Sequence, residues 1–196
     1  MLAETQTKTQ PRELASEKGL VNPVLSTATA GEAPQLAELA RTTYISAYAH
    51  EMTADALQRH IDSALTDEAV VEMLNGDIFF VARMDERIVG FVQMGRVDRK
   101  NIPVDDIRAD DSQFRRVYID PPWQSQGIGS QLLTYALADA RTTGRVFLDV
   151  WETNVRAQRF YESHGFKRVG EREVYRDDGT REGAEFLMMR TRQHRA

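Results

Sequence analysis

The feature that most constrains this chain is a glycine-containing turn between an apolar strand and an amphipathic helix. The segment Phe114–Ile119 predicts a strand, which Asp120 and two prolines close. Gly127 and Gly129 follow, and apolar residues then recur at helical spacing. The first amides of a helix lack partners and carry partial positive charge, and glycines let an anion approach the backbone closely. The pattern therefore predicts a cradle for a diphosphate group.

Other kinds of turn share part of this pattern. Two glycines alone are equally compatible with an ordinary turn between a loop and a helix. A dinucleotide-binding fold also has Gly-x-Gly after a strand and an acidic residue about 20 positions on, where Asp149 stands. However, Leu132 occupies the position of that motif's third glycine. A P-loop is excluded because no Gly-Lys-Ser/Thr follows the turn.

Hydrophobic spacing and turn residues predict the remaining elements. Thr53 and Thr66 have the character of helix N-caps, and Gly144 is expected to end the helix that follows the glycine turn. The pattern as a whole predicts a mixed sheet with helices on its faces, in the α/β or α+β class. The other predicted elements are a strand at Val24–Thr29, helices at Ala33–Ala49, Ala54–Ala64 and about 67–74, a hairpin of Ile78–Met84 and Arg87–Val97, a loop at Asn101–Asp110, a strand around Val146–Val150, a helix at Asn154–His164, and a hairpin of Lys167–Tyr175 with Gly183–Thr191.

Composition excludes several classes of site. The 196 residues include no cysteine, so disulfides, cysteine nucleophiles and thiolate metal sites are ruled out. The four histidines are scattered without the spacing of a zinc site, so no metal is expected. A formal charge of −5 argues against a nucleic-acid partner and is compatible with a cationic small molecule.

The chain is expected to form one domain at residues 23–196, preceded by a polar, flexible tail at residues 1–22. The tail has no apolar run of the length that a signal peptide or a spanning helix needs. No membrane partner is therefore expected, and the cytoplasm is the predicted compartment.

Two segments resemble the signature motifs of one known family. Gln124-Ser-Gln-Gly127-Ile-Gly129 matches the Gln/Arg-x-x-Gly-x-Gly/Ala motif of GNAT N-acetyltransferases, in the strand–turn–helix context that the motif requires. Residues 154–166 match the family's Asn-x-x-Ala-x-x-Phe-Tyr-x-x-x-Gly-Phe. The runs 44–50 and 150–154 are also similar to PaiA-like polyamine acetyltransferases. The resemblance implies a mixed, mostly antiparallel twisted sheet of six to seven strands with helices on both faces, and acetyl-CoA as co-substrate.

The resemblance also implies roles for single residues. The backbone of Val117 and Ile119, with Tyr118 between them, would pair with the pantetheine arm of acetyl-CoA as an added strand does. Asn154 would meet the pantetheine or the thioester end, and Tyr161 would bind there and protonate the departing thiolate. The turn would hold the diphosphate through Gln124, Ser125, Gln126, Gly127, Ile128, Gly129 and Ser130.

Some of these residues have a second explanation. Tyr161 is also compatible with an aromatic core residue, and Asn154 with the N-cap of a helix. The two explanations of Asn154 are compatible, since a cap can use the side chain while the backbone faces a ligand. The sequence leaves the general base open among Glu152, Tyr118, Glu51 and His50.

Three functions agree with this pattern. Acetylation of a small cationic amine such as a polyamine is the first expectation, and acetylation of a protein N-terminus or lysine is the alternative within the same chemistry. The third is a non-catalytic acyl-CoA-binding regulatory module, which would have no need of Tyr161. A homodimer is compatible with all three.

Overall fold

The computed structural model describes residues 21–50, 52–100, 102, 104–175 and 179–191. The predicted tail at residues 1–22 therefore lies almost wholly outside the described residues, as does the candidate base Glu51. Among the helices of the described part, none combines the length and the apolar composition needed to cross a membrane.

One seven-stranded sheet forms the centre of the fold. Its strands are β1 (Val24–Thr27), β2 (Ile78–Met84), β3 (Arg87–Arg96), β4 (Ser112–Ile119), β5 (Val146–Trp151), β6 (Lys167–Tyr175) and β7 (Arg181–Arg190). They lie in the order β1-β2-β3-β4-β5-β7-β6. Every neighbouring pair is antiparallel except β4 with β5, which is parallel. The predicted mixed, mostly antiparallel sheet is confirmed.

Five helices cover both faces of this sheet, as predicted. They are α1 (Ala33–Tyr48), α2 (Ala54–Ala64), α3 (Asp67–Gly76), α4 (Ile128–Ala138) and α5 (Val155–Ser163). The side chains of β2 alternate between the two faces of the sheet, because successive side chains of a strand point in opposite directions. Phe79 and Val81 pack in the core with α1 and α3, whereas Phe80 and Ala82 pack in the core with α4 and α5.

The parallel pair of β4 and β5 is short and then opens. The two strands pair only at Ser112 with Val146 and at Gln113 with Phe147. We call the gap between residues 114–119 of β4 and residues 148–151 of β5 the fork. Its closed end is held by Arg145, whose backbone N–H and Nη2 donate to the buried carboxylate of Asp111 over 3.0 and 2.6 Å.

Most predicted helix ends are correct, but one is wrong. The hydroxyls of Thr53 and Thr66 cap α2 and α3 as expected. Gly144 does not end α4, which stops at Ala138. Asp139 follows in an extended conformation, and its carboxylate accepts the N–H and the guanidinium of Arg141. This local side-chain bonding offers the chain an alternative to further helix. Strand β1 is also two residues shorter than predicted.

Gly144 instead packs against the backbone that leads into β4, so replacing it with alanine should destabilise the closed end of the fork. An added Cβ would lie 2.5 Å from the carbonyl oxygen of Asp110. We expect the free energy of unfolding to fall by about 1–3 kcal/mol in urea denaturation. Gly76→Ala is the control, because no atom of the described residues lies within 4 Å of its added Cβ. Equal denaturation midpoints for both variants would contradict this packing role.

Candidate active site

A cavity of about 610 Å³ opens inside the fork. Its wall includes Val117 and Ile119 of β4, Trp151 at the end of β5, and the first turns of α4 and α5. The last turns of α1, with Tyr48, close it from the other face of the sheet. The cavity exists because the two central strands separate, so both strand edges and two helix N-termini face one space.

The backbone of β4 turns alternate groups towards the fork. The N–H of Asp120 donates to the carbonyl of Val89 on β3 over 2.9 Å, so the backbone groups of Tyr118 face β3 as well. The backbone groups of Val117 and Ile119 then face the fork. The carbonyl of Ile119 accepts the Nε2–H of Gln124 over 3.0 Å. The remaining polar groups form an edge on which an extended chain can add.

The glycine turn presents a run of unpaired backbone donors. Ser125 and Gly127 both have positive φ, at 61° and 82°. In the part of the chain that the structure describes, no hydrogen bond uses the backbone N–H groups of residues 125–130, and the first helical bond of α4 runs from Gln131 to the carbonyl of Gly127. Alternation of left-handed and ordinary residues makes such donors converge on a concave site for anions. The geometry of the turn is therefore that of an anion cradle.

Tyr161 lines the cavity and lies among aromatic rings. Its ring centroid is 5.4 Å from that of Phe160 and 5.8 Å from that of Phe166. Burial raises the pKa of the Tyr161 phenol, and the negative charge of Asp149 raises it further. The phenol therefore stays protonated at neutral pH and is available as a donor. Tyr161 is both an aromatic packing residue and a cavity residue, so the two explanations of its motif do not compete.

Asn154 caps a helix, as one of its two explanations requires. Its Oδ1 accepts the N–H of Ala157 over 3.0 Å, and its own N–H donates to the carbonyl of Trp151. The residue also lines the cavity. The side-chain oxygen is used by the helix, which leaves the other atoms of Asn154 to face a ligand.

Most of the predicted cofactor residues come together in this cavity. All of them line it except Tyr118, Gln126 and Ile128. The ring of Tyr118 packs against Phe91 on the α1 side of the sheet. The side chain of Gln126 donates to the carbonyl of Pro122, and the side chain of Ile128 is fully buried in the core. For Gln126 and Ile128, only the backbone amides face the cradle.

The candidate bases from the sequence are placed very differently. His50 lines the cavity at the end of α1. The carboxylate of Glu152 accepts the N–H of Ala184 and lies 3.7 Å from Arg181, away from the cavity wall. Tyr118 is packed in the core, and Glu51 lies outside the described residues.

Sequence reasoning considered Asp149 only as the acidic residue of a dinucleotide motif and missed it as a candidate residue of this site. It lies on β5 just beyond the last pairing with β4. Its Oδ1 accepts the Nε2–H of Gln113 over 3.2 Å. Burial raises its pKa, despite the opposing charges of Arg172 and Arg115. The signal in the sequence was an acidic residue inside an apolar strand. Because side chains alternate along β5, this signal was equally compatible with a side chain that faces solvent. Arg156 and the aromatic wall residues Tyr48, Trp123 and Trp151 were missed as well.

Known proteins resemble this chain in the same region. A family model described as an acetyltransferase (GNAT) domain matches residues 75–168. An uncharacterised N-acetyltransferase of Mycobacterium bovis is 30% identical over 145 residues, covering 72% of this chain and 86% of that protein. The PaiA N-acetyltransferase of Thermoplasma acidophilum, solved with coenzyme A, has a TM-score of 0.67 at 19% identity over 88% of this chain and 100% of that one. A ribosomal-protein-alanine N-acetyltransferase of Brucella melitensis has a TM-score of 0.63 at 21% identity over 86% and 99% of the two chains.

Gly127→Glu should abolish binding of acetyl-CoA, the ligand that the motifs imply, because it places bulk and negative charge in the cradle. Gly179→Glu is the matched control, because Gly179 has a φ of 80°, close to the 82° of Gly127, so both substitutions strain the backbone similarly. Among the described residues, no atom lies within 4 Å of a Cβ added at Gly179. Isothermal titration calorimetry measures both affinities, and thermal unfolding compares the two folds. Binding by Gly127→Glu at the wild-type level would contradict the role of the turn.

Proposed function

Because this chain belongs to the GNAT family of N-acetyltransferases, we propose that it transfers the acetyl group of acetyl-CoA directly to the primary amine of a small cationic molecule. The observation that carries the proposal is the single cavity that joins the amides of the Gly127 turn to the phenol of Tyr161. An anion cradle and a proton donor that line one cavity are groups suited to bind an acyl-CoA and to assist departure of its thiolate.

The residues of the fork fit acetyl-CoA, which supplies the acetyl group as an activated thioester. The amides of residues 125–130 would hold the diphosphate, since no hydrogen bond within the described residues uses them and they lie at the positive end of α4. The edge groups of Val117 and Ile119 would pair with the amides of the pantetheine arm. Tyr161 would then lie at the acyl end. These assignments follow from the geometry of the cavity.

Acetyl transfer to an amine raises two proton problems. An alkylamine has a pKa of about 10.4, so presenting it uncharged at pH 7 costs about 4.6 kcal/mol. The thiolate that leaves has a pKa of about 8.5 and needs a proton or a hydrogen bond. Burial raises the pKa of Tyr161, so this phenol holds its proton until the leaving group develops charge. Tyr161 is the proposed general acid.

Asp149 is the proposed acceptor for the proton of the amine. Burial and the negative charge of Asp149 raise the pKa of Tyr161, and burial raises the pKa of Asp149 itself, which makes this carboxylate a stronger base than an exposed aspartate. The side chain is half-buried beside the closed end of the fork and does not belong to the cavity wall. The proton would therefore reach it through water.

The groups near the closed end of the fork support a cationic acceptor. Asp149 and Glu185 stand on neighbouring strands of one sheet face, and Asp149 raises the pKa of Glu185 in addition to burial. These two carboxylates lie outside the cavity wall, to which Tyr48 and Trp151 contribute aromatic rings, and aromatic faces attract ammonium groups.

A peptide N-terminus is the second candidate acceptor, because a ribosomal-protein-alanine N-acetyltransferase has a similar fold. Thiol release from acetyl-CoA would be measured with polyamines and with short peptides that begin with alanine. Preference for polyamines would support the proposal, and preference for the peptides would overturn the acceptor class. Binding of acetyl-CoA without turnover on any amine would favour a regulatory module. A cytoplasmic location and a homodimer stay predictions.

Tyr161→Phe should lower kcat by about tenfold or more, because the leaving thiolate loses its proton donor. The affinity for acetyl-CoA should change little, since the ring and its packing remain. Tyr135→Phe is the control, because the ring of Tyr135 packs on Phe80 outside the cavity. Thiol-release kinetics and calorimetry measure the two effects. Unchanged turnover in Tyr161→Phe would remove the acid role.

Asp149→Asn should lower kcat/KM at neutral pH by about tenfold, and the defect should shrink as pH rises. A raised pKa means that the wild-type rate falls as pH drops through that pKa, because protonated Asp149 accepts no proton. The variant instead depends on the free amine, whose fraction grows towards a pH of about 10.4. His50→Gln is tested in parallel over the same pH range. A pH-dependent defect confined to His50→Gln would assign the base to the histidine.

A further inference from the structure

Arg156 stands where a helix disfavours positive charge. It is the second residue of α5, directly after Asn154 as N-cap and Val155. The aligned peptide dipoles place partial positive charge at this end of a helix, so a cation there is opposed by its own helix. A cation at a helix N-terminus that does not stabilise the fold indicates a functional constraint on that position.

The contacts of Arg156 compensate little for this position. Its Nη2 donates to Ser125 Oγ over 3.0 Å, and its Nη1 lies 3.4 Å from Gln124 Oε1. Both acceptors are neutral. Across the described ranges of the chain, no ion pair to Arg156 is formed, whereas eleven pairs join other arginines to carboxylates. The guanidinium is exposed at the cavity, and no carboxylate of the described residues pairs with it.

The neutral partners lie at the entrance to the anion cradle. Ser125 has a φ of +61° and begins the run of unpaired amides at residues 125–130. Arg156 therefore extends from the start of α5 to the residues that precede α4. Among the described residues that line the cavity, it is the only arginine or lysine. One permanent cation and the converging amides face the same space.

We propose that Arg156 binds the diphosphate of the CoA carrier, exchanging its contacts with Ser125 and Gln124 for charge-assisted bonds to phosphate oxygens. The inference rests on the proposed function, since it takes acetyl-CoA as the ligand. A planar guanidinium offers paired N–H donors that match a phosphate group, and bonds between two charged groups are stronger than those to a hydroxyl or an amide. The diphosphate is assigned because both present partners adjoin the cradle.

By binding the diphosphate, Arg156 would contribute to the selection of the acyl donor. A carrier without the diphosphate, such as acetyl-pantetheine, would leave the guanidinium on its neutral partners and gain nothing from it. The side chain would thus distinguish the nucleotide-bearing thioester from a shorter one. It would bind the donor without taking part in acyl transfer.

Calorimetry on the full chain tests this with Arg156→Ala, Arg156→Lys and the control Arg159→Ala, an exposed arginine on the same helix outside the cavity wall. Arg156→Ala should weaken CoA binding by about tenfold or more and lower its salt dependence. Arg156→Lys should recover part of the affinity, and Arg159→Ala should bind as wild type. In Arg156→Ala, the loss should appear in the KM for acetyl-CoA and not in kcat.

Dephospho-CoA and acetyl-pantetheine identify the group that is bound. The loss in Arg156→Ala should persist with dephospho-CoA, which keeps the diphosphate, and vanish with acetyl-pantetheine. Equal CoA affinity in wild type and Arg156→Ala would overturn the inference and leave the proposed function standing. A loss that disappeared with dephospho-CoA would move the contact to the 3′-phosphate and overturn the diphosphate assignment. A wild-type protein that bound no CoA would overturn the proposed function itself.

Discussion

The buried ion pair of Arg145 with Asp111 holds together the two strands whose separation creates the site. Although burial opposes it, hydrogen bonds from Arg145 keep the pKa of Asp111 below its ordinary value, so the carboxylate is charged at neutral pH. The carbonyl of Arg145 also accepts the N–H of Ser112 over 2.9 Å, which sets the register of the parallel pair. Pairing holds β4 and β5 together for two positions only. The cavity that we propose as the active site lies in the gap beyond them.

The opposite end of the fork is kept apart by packing. An added Cβ on Gly129 would lie 3.6 Å from both Ile119 Cγ1 and Phe160 Cζ, so the first turn of α4 lies between β4 and α5. Ile128 is fully buried beside it. The apolar side chains of the first turn of α4 are used in this packing, and the backbone amides of the turn are left at the surface of the cavity. Packing and the proposed ligand binding therefore use different atoms of neighbouring residues.

Local patterns predicted the elements better than the site. Threonine caps at residues 53 and 66 and the glycine turn act through neighbours a few positions away, so the sequence indicates them directly. The failure at Gly144 has another cause, because that glycine is required by a backbone more than thirty residues distant at Asp110. Asp149 acquires its properties only when β5 lies beside both β4 and β7. The order of the strands in the sheet depends on tertiary contacts between distant segments, so local residue spacing does not predict it.

The coupling of Asp149 to Tyr161 orders the two proposed proton transfers. While Asp149 is negative, its charge raises the pKa of the phenol, so Tyr161 keeps its proton. Transfer of the amine's proton to Asp149 removes that charge and lowers the cost of losing the proton of Tyr161. The acid therefore becomes stronger at the stage when the thiolate begins to leave. In a buried site with a low effective dielectric, this dependence is larger than between exposed groups. In the proposed mechanism, this electrostatic interaction would link attack on the acyl group to departure of the thiolate.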